Sequence, residues 1–292
     1  MSHKAGFVSI IGKPNAGKST LMNALVGEKM SIITPKAQTT RHRIMGIVND
    51  DNHQIIFSDT PGVITPKYSL QESMMSFVEG SLIDADIILF VTDINEKHDE
   101  NDVVEKLTKT SSPIAVLINK IDKSTEEQVK EKIEYWKEKL NPEAIFAMSA
   151  LLGYNVPPIL TYIKDKLPIH PPYYEKDELT DKSMRFFASE IIREKIFKLY
   201  AKEIPYSTEV AVTSYKEEGH ITRISAEIYV ERDSQKNIIV GTGGSMIKKV
   251  GTYARQDIEE FIGGKVFLEI FVKVVPDWRA KKNILKRFGY ED

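Results

Sequence analysis

Cysteine is absent from the 292-residue chain, which excludes disulfides, thiolate zinc sites and cysteine nucleophiles. Long apolar runs are absent too. None approaches the roughly 20 residues of a membrane-spanning helix, so we do not expect an integral membrane protein. The N-terminal residues lead directly into a strand-like run, Phe7–Ile11, without the apolar segment and cleavage site of a secretory signal. We therefore expect a cytoplasmic protein.

The balance of residue types, 41% hydrophobic and 28% charged, is that of a globular protein, and the length exceeds what one compact core usually occupies. The net charge of −2 is unevenly distributed. Residues 1–182 contain 21 Lys and Arg against 26 Asp and Glu, whereas residues 183–292 contain 19 against 16. The sequence therefore predicts two domains, the second slightly basic, although ordinary surface charge explains so small an excess equally well.

Residues 5–167 alternate short β-rich apolar runs with amphipathic stretches, which predicts an α/β domain on a largely parallel sheet. Six strands are predicted, at Phe7–Ile11, Ile44–Val48, Gln54–Ser58, Ile87–Val91, Ile114–Ile118 and Ala144–Met148. Only a short polar turn separates the second strand from the third, so these two should form an antiparallel hairpin. The predicted sheet is therefore mixed.

A proline-rich and then charged stretch interrupts this pattern near Pro168. We predict a first domain at residues 1–168, a linker at 169–182 and a second domain at 183–292 that ends in a basic tail. The apolar periodicity of the second domain follows the order α-β-β-α-α-β. This order predicts a smaller α+β domain.

The octapeptide GKPNAGKS at residues 12–19 matches the phosphate-loop pattern G-x-x-x-x-G-K-[ST]. It follows a strand and precedes a helix, a setting that disfavours a chance match. The glycines let backbone N–H groups converge on phosphates, Lys18 neutralises the β and γ oxygens, and Ser19 offers its hydroxyl to Mg²⁺. The predicted phosphate-binding residues are Gly12, Lys13, Pro14, Asn15, Ala16, Gly17, Lys18, Ser19 and Thr20.

Three further motifs follow strands in the order expected of a GTP site. They are Asp59-Thr60-Pro61-Gly62, Asn119-Lys120-Ile121-Asp122 and Ser149-Ala150. Asp59 can reach a magnesium ion and Gly62 can present its N–H to the γ-phosphate. Asp122 can accept hydrogen bonds from guanine N1–H and the 2-amino group, which adenine lacks, so the site favours GTP over ATP. Taken singly, these motifs also fit polar turns.

This order of motifs resembles the translation-factor-like GTPases and implies a Ras-like fold that binds GTP, GDP and Mg²⁺. The resemblance assigns Thr40, in a first switch at residues 31–42, to the magnesium shell with Ser19 and Asp59, and the catalytic roles to Lys18, Thr40, Gly62 and Asn15. Val63 stands where Ras-like enzymes carry a glutamine, so we expect slow intrinsic hydrolysis. Asn15 matches a position that helps to hold K⁺ in related GTPases. A structural hydrogen bond explains Asn15 equally well.

The second domain contains the glycine turn Gly241-Thr242-Gly243-Gly244 between two helical segments. This G-x-x-G pattern, in the α-β-β-α-α-β order, resembles the type II KH fold, whose groove holds about four nucleotides. A plain helix–helix turn is the alternative. The predicted RNA-binding residues are Ile239, Gly241, Thr242, Gly243, Gly244, Ile247, Lys248, Lys249 and Arg255. The basic tail, with Arg279, Lys281, Lys282, Lys286 and Arg287, adds positive charge.

Nearly the whole chain resembles the Era family of bacterial ribosome-assembly GTPases. The resemblance includes the segments Pro35–Arg43, Ile191–Lys195 and Val274–Arg279. It implies binding to the 3′ end of 16S rRNA, a GTP state that favours RNA, assistance to 16S rRNA processing and 30S subunit assembly, and peripheral association with the inner face of the cell membrane. We expect a monomer. A signalling or trafficking GTPase, whose second domain binds protein, is the alternative.

Overall fold

The computed structural model describes residues 3–96 and 101–290. The chain divides into two compact units after Asp181, with the short segment Tyr68–Leu70 grouped with the second unit. Within the described residues, no helix combines the length and hydrophobicity required to cross a bilayer. The predicted linker at 169–182 thus falls almost entirely in the first unit.

The first unit is built on a six-stranded mixed sheet, as predicted. Its strands are β1 (Lys4–Ile11), β2 (Ile44–Asn49), β3 (His53–Asp59), β4 (Ile87–Asp93), β5 (Ile114–Asn119) and β6 (Ala144–Ala147). The spatial order is β2-β3-β1-β4-β5-β6, and only β2 runs antiparallel, paired with β3 in the predicted hairpin. Its helices are α1 (Lys18–Val26), α2 (Ser69–Asp84), α3 (Asn101–Leu107), α4 (Glu126–Leu140) and α5 (Val156–Lys166).

The central strands are apolar along most of their length and are buried on both faces. In β4, for example, Ile87–Thr92 are all buried, and Phe90 packs edge-on against Trp136 of α4 with 4.9 Å between ring centroids. Continuous apolar runs of this kind are typical of parallel strands covered by helices. The parallel strands β1, β3, β4 and β5 therefore point their carboxyl ends to one edge of the sheet, where the polar motifs follow.

Residues 173–181 form an irregular segment, which we call the strap, along the outer edge of β2. The backbone N–H of Ile47 donates to the Leu179 carbonyl at 2.8 Å, and the Thr180 hydroxyl donates to the Met45 carbonyl at 2.6 Å. The buried side chain of Gln54 in β3 accepts from the Tyr173 N–H and donates to the Tyr174 carbonyl. The strap thus satisfies backbone groups that an edge strand leaves unpaired.

In the described residues, the second unit has the predicted α-β-β-α-α-β order with two additional short helices, one after the first helix and one after the last strand. Its elements are α6 (Met184–Leu199), α7 (Ile204–Ser207), β7 (Glu209–Glu218), β8 (Ile221–Val230), α8 (Asp233–Val240), α9 (Ser245–Ile262), β9 (Lys265–Val274) and α10 (Lys282–Arg287). The three-stranded sheet has the order β7-β8-β9, with β8 antiparallel to β7 and parallel to β9. One sheet face packs on α6 and α9 in the core.

Helix α6 contributes charged side chains to this core as well as apolar ones. Arg193 is 0% exposed, and its guanidinium donates to both carboxylate oxygens of Glu190, with 2.7 Å from Nε to Oε1. Nearby, Glu209 accepts a 2.5 Å hydrogen bond from the buried hydroxyl of Tyr290. The Glu190, Glu209 and Tyr290 groups hold the pKa of Arg193 above its ordinary value despite burial, so the guanidinium stays charged inside the domain.

Candidate functional site

The predicted phosphate loop joins β1 to α1 in a backbone conformation that needs glycine. Gly17, immediately before α1, has φ 100°. A Cβ atom there would also collide with the side-chain amide of Asn119. This close approach brings the loop against the end of β5, so that the phosphate motif and the base motif form one site.

Lys18 lies over the loop with its ammonium group buried. Its Nζ donates to the carbonyls of Gly12 at 3.1 Å and Lys13 at 2.9 Å. Burial lowers the pKa of Lys18 to about 8, while the carboxylates of Asp59 and Glu96 oppose this shift. The ammonium is therefore held by two neutral carbonyls, which an anionic phosphate oxygen can replace with a stronger charge-assisted bond.

Three oxygen-bearing side chains converge beside Lys18, namely Ser19, Thr40 and Asp59. The Ser19 Oγ lies 2.6 Å from Asp59 Oδ2 and 2.8 Å from Thr40 Oγ1. Asp59 is 0% exposed, and its Oδ1 has no hydrogen-bond partner among the residues that the structure describes. Burial raises the pKa of the Asp59 carboxyl, against the opposing effects of the Ser19 hydroxyl and Lys18. Two hydroxyls and a buried carboxylate with an unpartnered oxygen fit the hard-oxygen ligand set of Mg²⁺.

Asn119 connects three of the predicted motifs. Its Nδ2 donates to the Ala16 carbonyl of the phosphate loop at 2.8 Å, and its Oδ1 accepts from the N–H groups of Lys120 at 2.8 Å and Ala150 at 2.9 Å. Lys120 adds a bond from its Nζ to the Asn15 carbonyl at 2.7 Å. These bonds fix the loops after β5 and β6 against the phosphate loop.

A cavity of about 480 Å³ opens between these loops. Of the predicted GTP residues it is lined by Pro14, Asn15, Gly17, Lys18, Ser19, Thr20, Gly62, Asn119, Lys120 and Asp122, and Thr40 lines it as well. Gly12, Lys13, Ala16, Asp59, Thr60, Pro61, Ser149 and Ala150 lie outside this lining. The Asp122 carboxylate is exposed and has no hydrogen bond or ion pair to the described residues. It is available to a ligand in the cavity.

The segment predicted as the first switch contacts the phosphate loop. Asn15 Nδ2 donates to the Pro35 carbonyl at 3.3 Å, and the hydroxyls of Thr34 and Thr39 lie 2.6 Å apart. The hydrogen bond of Asn15 therefore goes to the switch, not to another atom of the loop. Asn15 lines the cavity, and its Oδ1 has no hydrogen-bond partner among the described residues.

Gly62 approaches the phosphate loop so closely that no larger residue fits without movement. A Cβ atom at this position would lie 2.5 Å from the Pro14 nitrogen and 2.7 Å from its Cα. The next residue, Val63, is buried, and its N–H donates to the Gly12 carbonyl at 3.1 Å. The buried, apolar Val63 has no group that can orient water.

Sequence reasoning missed several residues of this cavity. They are Ile32, Ile33, Thr34, Pro35, Gln38, Thr39, Lys123 and Leu151. The six from Ile32 to Thr39 lie within the predicted switch, whose sequence gave no sign of which side chains face the nucleotide. Leu151, 74% exposed, directly follows the Ser-Ala motif, and this adjacency is a signal that could have found it.

The second unit places the predicted G-x-x-G turn between α8 and α9. Gly241, Gly243 and Gly244 all have positive φ, at 71°, 58° and 77°. Beside the turn, a groove of about 330 Å³ runs between α9 and β9. It is lined by Ile247, Lys248, Gly251, Thr252, Arg255, Leu268 and Ile270. Helical spacing along α9 and alternation along β9 explain this set.

The groove-floor role predicted for Ile239 is corrected by the structure, and two other predicted RNA-binding residues have surroundings that the sequence did not indicate. The side chain of Ile239 is 0% exposed and belongs to the core, so it supports the turn from within and does not form an open groove floor. Lys249 lies outside the groove lining, with its Nζ over the Tyr253 ring at 5.8 Å. Arg255 lines the groove but is paired with Glu259 at 2.9 Å, which reduces its attraction for phosphate.

Comparisons with known proteins agree with both halves of this description. A family described as 50S ribosome-binding GTPase matches residues 7–120, and a family described as KH domain matches residues 203–279. The GTPase Era of Staphylococcus haemolyticus is 44% identical over 291 residues, which are 99% of this chain and 97% of that protein.

Two solved structures resemble the whole chain. A crystal structure of Era in complex with MgGDPNP and nucleotides 1506–1542 of 16S ribosomal RNA matches with a TM-score of 0.95 and 40% identity, covering 99% of this chain and 100% of that one. A variant of Aquifex aeolicus Era bound to GDP and AlF₄⁻ matches with a TM-score of 0.94, the same identity and the same coverage.

Proposed function

The chain belongs to the Era family of GTPases with a KH domain, and we propose that it binds the 3′ end of 16S rRNA and assists 16S rRNA processing and assembly of the 30S subunit. One observation carries this proposal. The chain combines a cavity lined by the predicted guanine-nucleotide residues with a second unit that has a G-x-x-G turn before α9 and a groove beside α9 bearing Lys248. The relative solved with MgGDPNP and 16S rRNA nucleotides supports the same pairing of ligands.

In this proposal, residues 1–168 bind and hydrolyse GTP, residues 183–292 bind RNA, and residues 169–182 connect them. Lys18 leaves its two carbonyl partners for the phosphate oxygens. Asp122 accepts from the guanine, while Asn119 and Lys120 hold the loops around it. The GTP-bound state is the one that favours RNA.

Ser19, Thr40 and Asp59 would hold Mg²⁺, which supplies positive charge to the β and γ phosphate oxygens when bound. The backbone N–H of Gly62 would contact the γ-phosphate beside Pro14. Since Val63 offers no polar group, the chain itself does little to orient the attacking water, and intrinsic turnover is slow. The remaining charge has to come from another cation or from a partner.

We propose that K⁺ supplies this charge through Asn15, which lines the cavity and donates from its Nδ2 to the Pro35 carbonyl. GTP turnover should be several-fold faster in KCl than in NaCl at equal ionic strength. Asn15→Ala should remove the difference while GDP affinity stays within a few-fold. Equal turnover of the unmodified protein in the two salts would contradict the K⁺ role and leave Asn15 as a contact to the switch.

The experiment that tests the main proposal is the affinity for an oligonucleotide carrying the 3′ end of 16S rRNA, at fixed salt, with a non-hydrolysable GTP analogue and then with GDP. Tighter, sequence-selective binding with the analogue is expected. A scrambled oligonucleotide of equal length is the control. Absence of selective binding in both states would contradict the proposal and favour a GTPase whose second domain binds protein.

We further propose a cytoplasmic monomer that attaches peripherally to the inner face of the cell membrane, as the family resemblance implies. Light scattering after size-exclusion chromatography should give the mass of one 33.2 kDa chain. Co-sedimentation with vesicles of bacterial phospholipids should be reversed by high salt. A dimer, or an absence of vesicle binding at low salt, would contradict the respective statement.

A further inference from the structure

The edge strand β9 presents different side chains on its two faces. Leu268 and Ile270 point toward the helices and line the groove beside α9. Phe267 and Phe271 alternate with them and point away from the core, where they are 43% and 54% exposed. Two half-exposed phenylalanines on one strand leave apolar surface in water that the fold of this unit does not require.

The neighbouring strand surrounds these rings with polar and charged groups. Arg223 of β8 lies opposite Phe267, and its guanidinium sits over that ring at 5.1 Å. Glu227 lies opposite Phe271 and forms an ion pair with Lys273 at 2.6 Å. The two rings are thus bordered by charged groups and do not form a continuous apolar patch. Such a surface suits a ligand that is itself partly aromatic and partly charged.

The basic tail lies at one end of the same sheet face. Phe288, which follows α10, packs on Tyr229 of β8 with 4.8 Å between ring centroids. Burial alone would raise the pKa of the Glu227 carboxyl, but hydrogen bonds from Lys273 and Tyr229 outweigh this effect and lower it. The positive charge of Arg287 lies close enough to lower this pKa further. The exposed cations of the tail are Lys281, Lys282, Lys286 and Arg287. The tail therefore adds positive charge at one end of this face, while Glu269, which accepts from the Ser225 hydroxyl, lies between the two phenylalanines along the strand.

We propose that Phe267 and Phe271, here called the aromatic platform, bind single-stranded RNA by base stacking, with the tail cations on its phosphates. Aromatic side chains beside cations are the usual arrangement for such binding. The proposal rests on the proposed function and extends it. A KH groove holds about four nucleotides, whereas the RNA in the related complex spans nucleotides 1506–1542. Because the groove and the platform lie on opposite faces of one edge strand, RNA leaving the groove reaches the platform around that edge.

Two oligonucleotides with the 16S 3′-end sequence test the platform on the full chain with a GTP analogue. One, of six nucleotides, fills the groove, and the other, of twelve, extends beyond it. The unmodified protein should bind the longer RNA at least tenfold more tightly. The double variant Phe267→Ala, Phe271→Ala should lose most of that gain and bind the short RNA normally. Replacement of both residues by Trp should restore the gain, because a larger ring still stacks.

Met184→Ala, which removes an equally exposed side chain from α6, is the matched control and should change neither affinity. Thermal unfolding should show that the variants remain folded, since both rings are half in water. If the double variant kept the full gain in affinity for the longer RNA over the shorter one, the aromatic platform would be overturned and the proposed function would stand. Failure of the unmodified protein to bind either RNA would overturn the proposed function and the platform with it.

Discussion

Removal of the Asn119 side chain should disconnect the base-recognition loop from the phosphate loop. The substitution Asn119→Ala deletes three hydrogen bonds of 2.8–2.9 Å, one to the Ala16 carbonyl and two from the N–H groups of Lys120 and Ala150. Asn119 is only 2% exposed, so the three backbone groups lose their partners in a largely dry site. Nucleotide affinity and the stability of the first unit should fall together.

The size of the effect follows from these contacts. A buried polar group left without a partner costs about 1–3 kcal/mol. Because the neighbouring cavity can admit water, we take the lower end, which gives about 3 kcal/mol for the three groups. If this cost falls on binding, affinity for GDP drops roughly a hundredfold. If it falls on folding, the unfolding temperature of the unit drops by about 6–12 °C.

Fluorescent GDP titration and thermal unfolding of the same samples separate the two contributions. Asn49→Ala is the matched control, since it removes the bonds of Asn49 to Lys176 and Gln54 outside the cavity. It should lower stability modestly and leave GDP affinity unchanged. If Asn119→Ala bound GDP within threefold of the unmodified protein and unfolded at the same temperature, the view that Asn119 connects the motifs would be refuted.

Three further outcomes are expected. Asp122→Asn replaces an acceptor with a donor, so GTP should bind at least a hundredfold more weakly. XTP, which has a carbonyl at position 2, should compete better for this variant than for the unmodified protein. The control Lys123→Ala, at the neighbouring exposed position, should leave the preference for GTP unchanged. Gly62→Ala should slow single-turnover GTP hydrolysis more than it weakens GDP binding, because a Cβ there meets Pro14 at 2.5 Å; equal losses would count against a role specific to GTP. Lys248→Ala should weaken binding of all RNA sequences and lower the slope of log affinity against log salt by about 1, and an unchanged slope would place RNA elsewhere.

The sequence predicted the fold class well because its strands are long apolar runs between helices. The mixed six-stranded sheet and the KH-type second unit are confirmed. The strand ends were less accurate, since β3, β4 and β5 continue to the polar residues Asp59, Asp93 and Asn119. The ladder pairs Asp93 with Asn119, so backbone bonding extends past the apolar pattern on which the prediction depended.

Contacts between distant segments could not be predicted in this way. The groove beside α9 includes Leu268 and Ile270 of β9. The alternation of residues along β9 indicates which side chains share a face, but it does not indicate which helix they contact. The buried state of Arg193 depends on Glu190, Glu209 and the C-terminal Tyr290, of which only the first is close in sequence. The structure brings the predicted GTP residues together around one cavity and its supporting loops, and their binding roles stay predictions.

The strap along β2 has a consequence for where the chain can be cut. Because Ile47 and Met45 bond to residues of the strap, a fragment that stops at residue 168 would expose a bare strand edge, whereas one that stops at 181 would keep it covered. The shorter fragment should associate edge to edge as its concentration rises, although both contain every nucleotide motif. The residues that resemble a connector by composition therefore cover the edge of β2, and their removal would favour self-association of the first unit.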